Sequence, residues 1–267
     1  MSLAIAVKGT EGIVLAADSR VTLEARKQGA PPLPITFDNA TKLLSFSGDE
    51  HKYVGAITYG AAVIGSRTAH SFVSEFEQTM LSEKPRRLSI KEYAGSLSSF
   101  FLKQWRETVL GGYTGPDMTF VVGGYSPGSA YGEIFLFSVP NRPDPEPQHE
   151  NGFGMTWGGQ LEVVSRLIHG FDPQLMGIAQ RVLNLDDKQT QALLAELRSK
   201  LQYPIPWEVL AMQDCVDLAT FLIRSTMTAQ RMAVALRGVG GAIDVATITR
   251  TRGIEYVQQK KIHGEVM

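Results

Sequence analysis

The sequence has little of several features that mark large classes of proteins. Its 267 residues include one cysteine, Cys215, which excludes an internal disulfide framework and favours a reducing compartment. Acidic and basic residues nearly cancel to a net charge of −1, so no electrostatic footprint for nucleic acid or a membrane surface is visible. No apolar run approaches the length of a membrane span, and no leader precedes the first predicted strand. These absences favour a soluble, cytoplasmic protein with no nucleic-acid or membrane partner.

Signals for metal or cofactor binding are also missing. The five histidines have no metal-ligand spacing and no cysteine pairs beside them, so we expect no metal and no organic cofactor. The run Gly124-Tyr-Ser126-Pro127-Gly128 matches a serine-hydrolase elbow in letters only. A strand is predicted after it where an elbow needs a helix, and Pro127 has no N–H to offer an oxyanion. We interpret this segment as a hairpin loop.

The first twenty residues contain the clearest functional signal in the sequence. Two apolar runs, at 3–7 and 13–17, flank a turn-like stretch and predict a β-hairpin. Asp18 and Arg20 close its second strand. If Met1 is removed, Ser2 becomes the first residue of a buried strand and carries a free amine and a hydroxyl together. A hydroxyl is a poor nucleophile unless a base lies within reach, and an α-amine has a pKa of about 7.7–8.0, which suits proton transfer near neutral pH.

The rest of the chain predicts strands, two helices, strands, several helices and closing strands, with no internal repeat. Residues 22–40 and 140–151 contain several prolines and predict loops, and the residues after 257 predict a solvated tail. Ser89 and Glu92 form a capping box before an apolar helical pattern. Helices are predicted at 60–81, 89–109, 158–168, 173–183, 188–201 and 207–227, and strands at 42–46, 53–58, 118–122, 133–138, 152–157, 242–249 and 254–257. This order suits an α+β protein rather than a doubly wound sheet.

The run Gly12-Ile-Val-Leu-Ala-Ala-Asp18-Ser-Arg20 resembles the start of a proteasome β-type subunit, an N-terminal-nucleophile hydrolase. The stretches 239–249 and 253–256 resemble the closing hairpin of that family. The resemblance implies a four-layer αββα sandwich, formed by one domain over residues 1–267. Relative to ordinary subunits, residues from about 170 to 206 look like a helical insertion. These features indicate a divergent, bacterial-type homologue of the proteasome β-type subunits.

The resemblance implies four site residues. Ser2 takes the place of the nucleophile, which is threonine in the family, and its α-amine acts as general base. Asp18 falls on the supporting aspartate and Lys42 on the lysine that starts the next strand. Gly60 falls at the start of the first long helix, where its N–H would stabilise the oxyanion. Simpler interpretations remain for each: an ordinary chain end, a strand-end turn residue, a surface lysine and a helix-start glycine.

Two departures separate this chain from the family's pattern. Its accessory Ser-Asp-Ser set is incomplete, because residues 236–241 lack the acid and the hydroxyl. Thr156 stands near the other accessory position and could substitute for one hydroxyl. A peptide or amide hydrolase in a homo-oligomeric ring or stacked rings is the function that the resemblance implies, with peptide or unfolded protein as substrate. A catalytically inactive ring or scaffold subunit that retains Met1, and a small-molecule amidase, stay open, and an ATPase partner is not predictable.

Overall fold

The computed structural model describes residues 2–25, 33–83, 86–109, 112–234 and 236–264. Within these ranges there are twelve strands and six α-helices, with a 3₁₀ turn at Ala69–Phe72 before the first helix. The strands are β1 Leu3–Lys8, β2 Ile13–Asp18, β3 Val21–Ala25, β4 Leu33–Phe37, β5 Leu43–Ser45, β6 Val54–Gly60, β7 Met118–Gly124, β8 Glu133–Val139, β9 Arg142–Gln148, β10 Gly154–Gly159, β11 Ile243–Thr249 and β12 Gly253–Gln258. The helices are α1 Val73–Glu83, α2 Ile90–Thr108, α3 Glu162–His169, α4 Gln174–Leu183, α5 Asp187–Leu201 and α6 Met212–Met232.

Ten of the strands form two five-stranded sheets, and every neighbouring pair is antiparallel. One sheet has the order β10-β1-β2-β11-β12 and the other β5-β6-β7-β8-β9. The remaining strands, β3 and β4, form a separate hairpin. The N-terminal strand therefore lies inside a sheet, with β10 on one side and the rest of the predicted N-terminal hairpin on the other. Backbone hydrogen bonds on both edges hold the start of the chain in place.

Three hydrophobic clusters show which surfaces pack together. One cluster joins α1 and α2 to strands of the β5–β9 sheet, through side chains such as Phe76, Phe101 and Phe120. A second joins α3 and α6 to the sheet that contains β1. A third lies between the two sheets and consists mainly of strand residues from both, including Leu15 and Val121. The molecule is thus a mixed α+β structure with helices against each sheet and sheet against sheet.

Burial on both faces explains the two continuous apolar runs at the N-terminus. Leu3, Ile5 and Val7 contact the α3 and α6 cluster, whereas Ala4 and Ala6 face the other sheet. Successive side chains of a strand point to opposite faces, so a strand between two apolar layers needs apolar residues at every position. The predicted hairpin is confirmed, and so is the helix after Ser89, whose capping box with Glu92 is present in full.

The predicted helix at 60–81 is wrong in its first half. Gly60 is the last residue of β6 and pairs with Met118 of β7, so the strand continues past the predicted helix start. The stretch 61–68 contains an isolated bridge between Ile64 and Arg67 and no helix. The apolar spacing further along is real, and it belongs to the 3₁₀ turn and to α1.

Two predicted loops contain strands instead. Residues 21–25 and 33–37 pair as β3 and β4, while the residues between them, with Pro31 and Pro32, lie outside the described ranges. The stretch 140–151 contains β9, an edge strand beside β8. Its Pro143, Pro145 and Pro147 occupy alternate positions of this edge strand, and the pairing with β8 is irregular between Leu136 and Ser138. Proline in this period is compatible with an edge strand.

Both helices of the predicted insertion, α4 and α5, are confirmed. The next helix, α6, begins five residues later than predicted, because the Ala211 N–H is capped by the Asp214 carboxylate. Helix α3 likewise begins four residues late, since β10 runs to Gly159. The predicted solvated tail is wrong as far as Lys260, whose side chain contacts buried Asp244. Over the described ranges, every helix is too short or too polar to cross a membrane.

Candidate active site

Asp18 is the centre of the hydrogen bonds at the N-terminal end of the β1 sheet. It is 1% exposed at the end of β2. Its Oδ1 accepts hydrogen bonds from the Leu3 N–H at 3.0 Å and from Lys42 Nζ at 2.7 Å. Its Oδ2 accepts from the Arg20 N–H at 3.1 Å and the Gly240 N–H at 2.9 Å. One carboxylate therefore ties together the N-terminal strand, the lysine and the loop that leads into β11.

Lys42 is a buried cation, contrary to the simpler interpretation of a surface lysine. It is 5% exposed and comes directly before β5. Besides Asp18, its ammonium contacts the carbonyl of Arg20 at 2.5 Å. Burial lowers the pKa of Lys42 from its ordinary value, and the negative charge of Asp18 partly opposes that shift. The position suits a group that acts through its charge on neighbouring atoms.

Ser2 lies next to this pair. It is 6% exposed, and its carbonyl accepts a hydrogen bond of 2.8 Å from the Gln160 N–H. Ser2 and Lys42 line the same small pocket, together with residues of β6 and of the stretch after it, among them Thr58 and Ala61. The structure thus brings the predicted nucleophile and the predicted lysine to one cavity. Met1, whose removal the sequence hypothesis requires, lies outside the described residues.

Gly60 borders the same pocket, although no helix starts there. The pocket is lined by its neighbours Tyr59 and Ala61. The Thr58 N–H donates to the Lys42 carbonyl at 3.0 Å, and strand alternation directs the Gly60 N–H to that same side. The φ of Gly60 is +92°, and a Cβ there would come within 2.0 Å of the Asp117 carbonyl. Glycine is therefore required at this position by the backbone, whatever its chemical role.

A second ion pair fixes the segment after Asp18. Arg20 Nε and Nη2 donate to the two carboxylate oxygens of Asp38 at 2.5 and 2.7 Å. Arg20 also donates to the carbonyl of Arg237 at 3.2 Å. This bidentate pair holds both ends of the β3–β4 hairpin beside the pocket, so Arg20 acts here as a structural residue.

The accessory positions differ from the sequence hypothesis. Thr156 pairs with Ala6 in β1, about 13 Å along the strand from Ser2, which is too far for its hydroxyl to reach the pocket. Instead, the Val239 N–H donates to Gln230 Oε1 at 2.9 Å, and Gln230 Nε2 donates to Gln160 Oε1 at 3.3 Å. Two glutamine side chains therefore connect the loop before β11 to the segment that binds Ser2. No local pattern in the sequence marks this pair, because the contact between the two glutamines spans 70 residues.

Ser126 and Cys215, two other side chains that could act as nucleophiles, lie outside the pocket and make structural contacts. Ser126 Oγ accepts a hydrogen bond of 2.9 Å from the Ile90 N–H, so it caps the start of α2. Cys215 lies in α6 against the β1 sheet, and burial raises the pKa of its thiol to about 11. Within the described ranges, no three histidine, cysteine or acidic residues come together to hold a metal ion.

We expect Gly159→Ala to weaken the anchoring of Ser2. The φ of Gly159 is +100°, and an added Cβ would lie 1.9 Å from the Ser2 carbonyl oxygen. The strain should lower the free energy of unfolding by about 1–3 kcal/mol, as measured by urea denaturation. Gly177→Ala in α4 is the matched control, since a Cβ there meets nothing within 4 Å and should be neutral or stabilising. An equal effect at both positions would contradict the close approach at Ser2.

Among comparisons with known proteins, only the comparison of structures finds a match, and it concerns the fold. No protein-family model matches the chain. No curated protein matches it either. Among solved structures, it is similar to a mutant of Anbu from Hyphomicrobium sp. strain MC1, with a TM-score of 0.56 and 14% sequence identity. The match covers 97% of this chain and 86% of that one.

Proposed function

We propose that this chain is a proteasome-like hydrolase of peptide or amide bonds, with Ser2 as its N-terminal nucleophile. The proposal requires that maturation removes Met1, so that Ser2 carries a free amine. The observation that carries it is the joint placement of Ser2 and Lys42 at one pocket, with Asp18 bonded both to Lys42 and to the residue after Ser2. The fold shared with Anbu supports a distant proteasome-like relationship.

The chemistry needs no group beyond the chain itself and a water molecule. The α-amine of Ser2 accepts the hydroxyl proton while Oγ attacks the substrate carbonyl carbon. The resulting ammonium returns that proton to the leaving amine as the C–N bond breaks, which leaves an ester on Ser2. Water then attacks the ester, the amine takes the proton of the water, and the Ser2 hydroxyl is restored as the acid product leaves. An α-amine performs both steps because its pKa lies near the operating pH.

Lys42, Asp18 and Gly60 have supporting roles in this mechanism. The buried ammonium of Lys42 favours loss of a proton from the neighbouring α-ammonium, because like charges repel across a poorly solvated pocket, and it stabilises the negative charge that develops on the Ser2 oxygen. Asp18 orients that ammonium through the 2.7 Å contact. The Gly60 N–H, which faces the pocket side of β6, donates to the oxyanion of the tetrahedral intermediate.

We also infer the layer arrangement of the fold and a ring-shaped assembly. We interpret the packing of helices, sheet, sheet and helices as a four-layer αββα sandwich within one domain over residues 1–267, as in the proteasome-like fold. A homo-oligomeric ring or stacked rings follow from that relationship, with sites facing an inner chamber and peptide or unfolded protein as substrate. The missing accessory acid and hydroxyl favour a second candidate, an inactive ring or scaffold subunit that retains Met1.

The mass of the purified protein separates the two candidates. The active enzyme should be lighter than the full 267-residue chain by one methionine residue, and it should cleave members of a fluorogenic peptide panel. Acylated small amides tested in parallel distinguish a small-molecule amidase. A chain that retains Met1 and cleaves no substrate would contradict the proposed activity and favour the scaffold.

A further inference from the structure

Two glycine-rich segments reach the start of the β1–β2 hairpin from its two sides. Gly158 and Gly159 end β10, which flanks β1, and residues 238–241 lead into β11, which flanks β2. Neither stretch contains a polar side chain. They cannot fix their own positions through side-chain hydrogen bonds, so side chains from outside them have to do so.

Gln160 holds the first of these segments. It follows Gly159 directly, and its N–H donates to the Ser2 carbonyl at 2.8 Å. Its side-chain Oε1 accepts a hydrogen bond of 3.3 Å from Nε2 of Gln230, which lies in the last turn of α6. The Gln160 side chain therefore links the segment that binds Ser2 to a helix on the same side of the sheet.

The oxygen of the Gln230 amide holds the second segment. Gln230 Oε1 accepts a hydrogen bond of 2.9 Å from the Val239 N–H, and the next N–H, of Gly240, donates to Asp18 Oδ2 at 2.9 Å. Val239 is 2% exposed, and a buried N–H needs an acceptor. Because that N–H can only donate, the Gln230 oxygen faces it and the Gln230 NH₂ group faces Gln160.

These hydrogen bonds close on a single peptide group, the one that joins Ser2 to Leu3. Its carbonyl oxygen accepts from the Gln160 N–H, and its N–H donates to Asp18 Oδ1 at 3.0 Å. Asp18 in turn binds Lys42 at 2.7 Å. The two anchors of this peptide group are themselves connected, through Gln230 and the loop before β11. Together they fix its plane, and with it the point from which the Ser2 side chain and amine extend.

We propose that Gln160 and Gln230 are positioning residues for Ser2: their linked amides fix the peptide group that follows Ser2 relative to Asp18 and Lys42. The catalytic meaning of this link rests on the proposed function, in which the Ser2 hydroxyl and α-amine must both meet the substrate carbonyl. The loop that lacks the family's accessory acid and hydroxyl is thus held by an amide instead.

The structural part is tested without any activity, by hydrogen–deuterium exchange of the full chain read by mass spectrometry. Gln160→Met removes the acceptor of the Gln230 amide and keeps the backbone N–H that binds Ser2. Exchange should become faster in peptides that cover 2–5 and 238–241. A hydrogen bond of ordinary strength changes a local opening equilibrium by about 2- to 10-fold, which is the increase that we expect.

A control and a rescue variant make this measurement specific. Gln148→Met is the matched control, because Gln148 Nε2 donates to the Glu146 carbonyl at the same distance, 3.3 Å, in β9 of the other sheet. It should leave exchange of both segments unchanged. Gln160→Glu keeps an oxygen that accepts from the Gln230 NH₂ group, so exchange should stay slow.

The catalytic part is read from kcat and KM for a cleaved peptide, with chains whose intact mass shows that they begin at residue 2. In Gln160→Met, kcat should fall about 10- to 100-fold, because a displaced nucleophile loses its alignment with the substrate carbonyl. KM should change little, since neither glutamine lines the pocket. Gln160→Glu should recover most of the lost rate, and Gln148→Met should match the unaltered protein.

Gln230→Met cuts the same link from its other end. Circular dichroism verifies that this variant folds, since it also leaves the Val239 N–H without its acceptor. Combined with Gln160→Met, it should lower kcat no further than it does alone, because both changes break one connection.

Four outcomes decide the matter. Unchanged exchange in folded Gln160→Met would overturn the inference, and so would faster exchange with an unchanged kcat. Reductions in kcat that multiply in the double variant would also contradict a single connection. If the unaltered protein cleaves no peptide while Gln160→Met exchanges faster, the proposed function alone fails, and the two glutamines remain anchors of the N-terminal strand.

Discussion

Ser2→Ala is expected to reduce peptide cleavage by a factor of about 10³ or more, because it removes the attacking oxygen and leaves the fold intact. Ser2 makes its described contact through the backbone carbonyl, which alanine retains. The free energy of unfolding should therefore change by less than about 0.5 kcal/mol. Steady-state cleavage of a fluorogenic peptide and urea denaturation measure the two effects, and intact mass verifies that both proteins begin at residue 2.

Two variants make this result specific. Ser2→Thr keeps both the hydroxyl and the amine, so it should retain measurable cleavage. Ser126→Ala removes the serine of the Gly-x-Ser-x-Gly match, which caps α2 through the Ile90 N–H. It should lose about 1 kcal/mol of stability and keep its catalytic rate. Full activity in Ser2→Ala, or loss of activity confined to Ser126→Ala, would refute the N-terminal mechanism.

Asp18→Ala is expected to have the largest effect on stability, a loss of about 3–5 kcal/mol in the free energy of unfolding. The change removes the acceptor of four hydrogen bonds and leaves the Lys42 ammonium buried without its carboxylate. Cleavage should be lost as well, since Lys42 is no longer oriented. Urea denaturation and circular dichroism measure the loss. Asp49→Ala is the control, because the Asp49 side chain is 97% exposed and its pair with Lys52 should contribute little.

The same variant has a defined pH dependence. Burial lowers the pKa of Lys42 below 10.5 in the folded chain, so between the two pKa values the unfolded chain binds more protons. Stability attributable to Lys42 should therefore rise with pH across that window. Asp18 is the main group that raises the pKa of Lys42, so the window should extend to lower pH in Asp18→Ala. A stability deficit that is independent of pH would argue against a charged Lys42 in the folded protein.

Local sequence patterns predict the elements whose own residues carry the signal. The N-terminal hairpin and α2 follow directly from continuous apolar runs and from a capping box. The strands β3, β4 and β9 are missed because proline predicts loops at residues 22–40 and 140–151. An edge strand tolerates proline at positions where the backbone nitrogen points away from the neighbouring strand. The position of the partner strand decides which residues those are.

The candidate site was predictable only in part. The family resemblance indicates Asp18 and Lys42 as site residues, and the structure joins them at 2.7 Å. Gly60 was assigned to a helix start, whereas it ends β6 beside the pocket. Gly240 reaches Asp18 from more than 200 residues away, so no spacing along the chain indicates that contact.

By itself, the sequence determined the apolar runs and the capping signals, and with them the N-terminal hairpin and α2, because those preferences depend on near neighbours. It also placed a small hydroxyl residue directly before the first buried strand. Only the tertiary structure decided which charges meet. The 2.7 Å contact of Asp18 with Lys42 and the pocket that Lys42 shares with Ser2 depend on strand register and sheet packing. Those are set by burial of the whole core, and no local stretch of residues specifies them.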